Sequence, residues 1–113
     1  MRAEVRHIEA NDIPAWPDWQ AADESDEHQW FTVSVGPPGD PGADLFQVAV
    51  ATPRWLWARS RPGRFVGLVV DRFEPRAVER AIREFVAGAE APTWGEVARQ
   101  LASKMRWEYE GLA

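Results

Sequence analysis

Apolar and polar residues alternate in four places along the chain, and each alternation predicts a β-strand. Over residues 2–9, Ala3, Val5 and His7 face away from Arg2, Glu4 and Arg6. Over 28–35, Gln29, Phe31, Val33 and Val35 share one face, with Trp30, Thr32 and Ser34 on the other. Over 44–51 the core face is Phe46, Val48 and Val50, opposite Leu45, Gln47, Ala49 and Ala51. Over 64–71, Val66, Leu68 and Val70 oppose Phe65, Gly67 and Val69. Helical spacing replaces alternation near the end. Residues 75–87 carry Val78, Ala81, Ile82, Phe85 and Val86 on one side, with Glu79 and Arg83 paired on the opposite side. A further helix from Thr93 onward faces inward with Trp94, Val97, Ala98, Leu101 and Met105.

The junctions between these elements carry their own signals. Thr52 is a good N-cap and Pro53 suits the first helical position, so the third strand should feed a short helix with Trp55, Leu56 and Trp57. Thr93 and Glu96 form a capping box, with Pro92 and Val97 as its staple, while Glu74 is a mediocre cap for the helix at Pro75. Gly36, Pro37, Pro38, Gly39, Pro41 and Gly42 make residues 36–42 a connection, closing a wide antiparallel hairpin. Residues 59–63 read as a second turn. Residues 106–110 alternate, and either finish the last helix or run extended against the sheet. Residues 11–27 have no period and form a long loop, a length that usually marks function or disorder.

The order is strand, strand, strand, short helix, strand, helix, helix. It predicts an α+β fold: a mostly antiparallel four-stranded sheet with helices packed on one face. The link from the third strand to the fourth is long enough for a crossover, so one parallel pair is allowed. At 113 residues the chain is read as a single domain, 1–113.

Composition narrows the function. With 45% apolar and 27% charged residues, the chain has the make-up of a soluble globule. It contains no apolar run of membrane-span length and no signal-peptide stretch, and it has no cysteine. A cytoplasmic, acidic protein without membrane contact is expected. The net charge of −5 is unevenly placed. From His7 to Pro53 there is no Lys or Arg, while Glu9, Asp12, Asp18, Asp23, Glu24, Asp26, Glu27, Asp40 and Asp44 are all acidic. The basic residues lie almost entirely from Arg54 onward. Nucleic-acid binding needs a basic footprint, so the front section suits a basic protein partner instead.

Candidate chemistry is sparse. His7 and His28 have no partner at ligand or triad spacing. The hydroxyls of Ser25, Ser34, Ser60 and Ser103 lack a nucleophile elbow. Glu108 and Glu110, flanked by Trp107 and Tyr109, read as caps or as bridges to arginines of the preceding helices rather than as an acid–base pair. The prolines of 36–42 remove the N–H groups a phosphate would need. Asp23, Ser25 and Glu27 alternate as in a calcium loop, but the glycine and closing bidentate glutamate are missing. No catalytic, cofactor or metal residue is assigned, and the protein is read as no enzyme.

Seven tryptophans are more than so small a domain can enclose, at ~150–250 Å² each. Trp55, Trp94 and Trp107 are assigned to the core. Trp16 and Trp19, within the acidic loop, either pin it to the domain or act as binding hot spots. The acids Asp18, Asp23, Glu24, Asp26 and Glu27 are either a solvated loop or a patch that holds a basic surface. These seven residues are the candidate binding site.

Four stretches together resemble the immunity protein 8 family of bacterial polymorphic toxin systems. They are Gly36-Pro37 with Gly39, Gly42 and Asp44; Phe46 to Val50 with Thr52, Pro53, Trp55 and Leu56; Thr93, Trp94, Glu96 and Val97 with Leu101; and Trp107, Glu108, Tyr109 and Glu110. Gly95, where a charged helix former is more usual, and the closing Gly111-Leu112-Ala113 depart from the pattern locally. The resemblance implies a small non-enzymatic protein that binds and blocks a cognate toxin domain. A basic toxin, such as a nuclease whose substrate phosphates the acidic patch imitates, fits the charge, and a homodimer is compatible. The contrasting reading is a small regulatory or scaffold domain that binds a cellular protein or peptide along a sheet edge.

Overall fold

The computed structural model describes residues 1–59 and 63–110. Ser60, Arg61 and Pro62 of the expected turn, and the closing Gly111, Leu112 and Ala113, lie outside the described residues. Five strands form one sheet: β1 (Glu4–Ala10), β2 (His28–Gly36), β3 (Asp44–Ala51), β4 (Leu68–Val69) and β5 (Arg106–Trp107). Three helices join them: α1 (Pro53–Arg59) between β3 and β4, then α2 (Pro75–Ala87) and α3 (Trp94–Leu101) before β5. The fold is α+β, and the sheet is mostly antiparallel with its path running β1-β2-β3-β4. Among the described residues only β3 and β4 run parallel, because α1 carries the chain over between them.

β2 and β3 form the long central hairpin, in register from His28 opposite Ala51 to Val35 opposite Asp44. Arg6 straps its connection, donating from its guanidinium to the carbonyls of Pro37 and Asp40 at 2.5 and 2.6 Å. Gly36 is required there, since a Cβ on it would stand 2.2 Å from the Gly42 carbonyl oxygen.

Two strands differ from the simple alternation. In β1 the register against β2 shifts between Val5 and His7. That irregularity adds a residue and reverses the phase, so Ile8 and Ala10 are buried after Ala3, while His7 is exposed. The fourth strand is far shorter than residues 64–71. Only Leu68 and Val69 pair, with Val50 and Ala51, and Val66 is 61% exposed. The cause is competition for one flank of β3: β2 covers the other flank, and β5 takes the rest of this one through Phe46–Trp107 and Gln47–Arg106. Residues 106–107 thus run extended against the sheet as a fifth strand.

The strands' inner residues and the apolar sides of α2 and α3 merge into one core. Phe31, Phe46, Phe73, Ile82 and Leu101 are fully buried within it, each worth about 1.5–3 kcal/mol. Val78, Ile82 and Val86 supply the α2 stripe, and Val97, Ala98 and Leu101 that of α3. Thr93 caps α3 by accepting from the Glu96 N–H at 3.3 Å, whereas Glu74 makes no side-chain cap for α2. Thr52 is fully buried, and its hydroxyl oxygen accepts from the Glu27 N–H at 3.1 Å, tying the loop ahead of β2 to the start of α1.

Asp44, at the start of β3, gathers the distant segments. One of its carboxylate oxygens accepts from the indole N–H groups of Trp94 and Trp107, both at 2.9 Å. Glu108 continues the closure on backbone, not on arginine: its N–H donates to the Leu45 carbonyl, and its carboxylate accepts from the Leu45 N–H at 2.9 Å.

Candidate functional site

The loop of residues 11–27 is ordered from within by its tryptophans. Trp16 sets its ring edge-on to Phe31, with centroids 4.9 Å apart, and donates its indole N–H to Glu79 of α2 at 2.9 Å. Trp19 meets Phe73 edge-on at 6.0 Å and lies 6.1 Å from Trp16. Both rings are half-buried against the core, so they hold the loop while keeping an exposed side. Backbone bonds complete the attachment, with Thr52 N–H donating to Glu27 and Phe73 N–H donating to Glu24.

The five loop acids are not equally available. Asp23 accepts from the Ser25 backbone and hydroxyl at 3.0 and 2.7 Å and lies 3.8 Å from Arg54. The Ser25 hydrogen bonds, with help from Arg54, hold its carboxyl below the usual carboxylate range. Asp26 pairs with Arg59 at 2.6 Å and Glu24 with Arg72 at 3.4 Å. Glu27 accepts from the His28 N–H at 2.9 Å. Asp18 is exposed and has no ion pair among the described residues. The acid-rich front of the chain is therefore partly answered by arginines of its rear, and α1 supplies two of them.

α1 is the element whose importance the alternation pattern conceals. It buries none of its residues, and Trp57, one turn on from Arg54, is 93% exposed. An indole presented so fully is unusual and is the kind of group that anchors interfaces. Trp55, assigned to the core from the sequence, instead stacks on His28 at 4.1 Å with their planes 10° apart, and lines a recess on the sheet face away from α2 and α3. Burial holds the His28 imidazole below its ordinary pKa against an opposing pull from Glu27, so it is neutral at pH 7. The signal for both features was present in the spacing Arg54, Trp55, Trp57, Arg59, which puts two indoles and two guanidiniums on a single short helix.

Among the described residues no three His, Cys, Asp or Glu side chains gather as a metal site, and none of the helices is long and apolar enough to cross a membrane. Glu108 spends its carboxylate on the Leu45 backbone, and Glu79 spends its own on Trp16 and Arg83.

A family model described as Immunity protein 8 matches residues 3–111 of the chain. No curated protein and no solved structure matches it.

Proposed function

The chain belongs to the immunity protein 8 family, and from that membership we propose that it binds a cognate toxin domain one to one and neutralises it by covering its surface. The family match along nearly the whole chain is the observation that carries this reading. The structure is in keeping with it: the loop, the hairpin and α1 offer shape and charge, while the carboxylates of Glu79 and Glu108 are engaged in holding the fold. The protein acts as a folded obstacle and makes or breaks no covalent bond.

The contact surface is the loop of residues 18–27 together with the exposed helix beside it. Asp18, Asp23, Glu24, Asp26 and Glu27 supply negative potential, which speeds encounter with a basic toxin such as a nuclease. Trp16 and Trp19 keep that surface in one shape and add their exposed sides to it. Trp57 supplies the apolar anchor. The reading expects a large secreted protein to be encoded next to this chain, and the test is rescue in bacteria, with the C-terminal domain of that protein expressed with and without this chain. Growth restored only by co-expression supports the proposal, and continued killing overturns it.

A further inference from the structure

Net charge points to a basic partner, yet the charge left unanswered on the surface has the opposite sign in one place. On the outer face of the sheet lies a recess of about 280 Å³. Its aromatic walls are the stacked His28 and Trp55, with Trp30 of β2 and Phe65. His28 also meets Trp30 and Phe65 edge-on at 6.3 and 6.4 Å, so the four rings form one connected wall. Four cations stand around it: Arg59, Arg64, Lys104 and Arg106. Arg59 is paired with Asp26, but Arg64, Lys104 and Arg106 have no ion pair among the described residues. Arg106 stands over the Trp30 ring, 5.4 Å from its centroid.

We propose that this recess receives an acidic segment of the toxin domain, so that one toxin presents basic surface to the loop and carboxylates to the recess. The inference rests on the reading of the chain as a toxin-binding protein. Charge complementarity chooses the occupant. Three cations gathered beside one aromatic wall attract carboxylates, and the aromatic sides accept the aliphatic stems that carry them. A nucleic acid fits less well: a polynucleotide leaving the recess would meet a chain of net charge −5, with the acidic loop just beyond α1. Opposite charges at the loop and at the recess also fix the orientation of the complex, because a partner docked the wrong way round meets like charge at both.

Two measurements test this independently. In the first, a blocked peptide of four glutamates is titrated into the isolated protein at low salt, and the indole N–H resonances are followed. Trp30 and Trp55 should shift while Trp94, tied to Asp44, stays in place. The double variant Lys104→Glu/Arg106→Glu should bind at least about tenfold more weakly, whereas Arg99→Glu, on the exposed side of α3, should bind as the parent does. If the double variant unfolds, Arg64→Glu/Lys104→Glu replaces it, leaving the Trp30–Arg106 contact intact. No shift at Trp30 and Trp55, equal binding by the reversed variants, or preference for a short single-stranded DNA over the peptide each overturns the proposal. In the second, the same variants are tested for toxin binding and rescue. Loss of toxin affinity by about tenfold or more supports the recess. Parent-like affinity for toxin overturns it while leaving toxin neutralisation standing. Failure of the unmodified chain to rescue overturns that function, and the peptide titration still decides the recess.

Discussion

The two indole N–H groups that reach Asp44 are drawn from water on folding, and one carboxylate oxygen serves both. Hydrogen bonds to a charged acceptor contribute about 1.5–3 kcal/mol each when well shielded, and somewhat less where, as here, the rings are half-buried. Asp44→Ala should therefore lower unfolding stability by about 2–4 kcal/mol in urea titrations. Asp44→Asn, which keeps an acceptor, should lose about half of that. A loss no larger than ~0.5 kcal/mol, the scale of an ordinary surface substitution, would show the node to be incidental. His28 gives a second residue-scale outcome. Burial depresses its folded-state pKa below the ordinary 6.5, so near and below that pH the unfolded chain binds the proton more readily. Stability is then full above pH 6.5 and falls as the pH drops through the folded pKa. His28→Gln should lack this part of the acid dependence in denaturation curves taken between pH 7 and 5; identical slopes for the two proteins would refute the assignment.

At the scale of elements, the shared flank of β3 decides where strands begin and stop. Gly67 lies where β4 closes on β3, and a Cβ there would stand 2.3 Å from the Ala49 carbonyl oxygen and 2.8 Å from the Phe65 ring. Gly67→Ala should push β4 off the ladder and cost about 1–3 kcal/mol, with faster amide exchange at Val70, whose N–H donates to Ala51. Unchanged exchange would mean that the strand tolerates the displacement. These details also mark the boundary of what the chain's pattern made legible. Central strands and α2 were readable because Phe31, Val33, Val35, Phe46, Val48, Val78, Ile82 and Val86 follow a clean period and are all buried. The phase change in β1 was not readable, since nothing in Val5-Arg6-His7-Ile8 announces an extra residue in the ladder. Nor was the truncation of β4, because Val66 has ideal strand chemistry yet lies outside the ladder and is exposed, while β5 takes Phe46 and Gln47 on the flank that a longer β4 would have covered. The candidate site was half legible. The acid run is plain in the sequence; its pairing with Arg54, Arg59 and Arg72 depends on long-range folding and is visible only in three dimensions.

For the molecule as a whole, charge is arranged rather than merely summed. Replacing Asp23, Glu24, Asp26 and Glu27 by their amides takes the formal charge from −5 to −1 and frees Arg54, Arg59 and Arg72. Exposed ion pairs are worth at most about 1 kcal/mol each, so the fold should survive. Association with a basic toxin should slow by tenfold or more, roughly, at low salt and converge with the parent at high salt. Equal association rates at low salt would remove the loop from the encounter surface. The late pairing of β5 has one more consequence. Residues 106–107 complete a flank begun some sixty positions earlier, and Trp107 delivers its indole to Asp44 in the same act. Until residues 106–107 dock, that stretch of β3 is a bare edge able to pair with another chain.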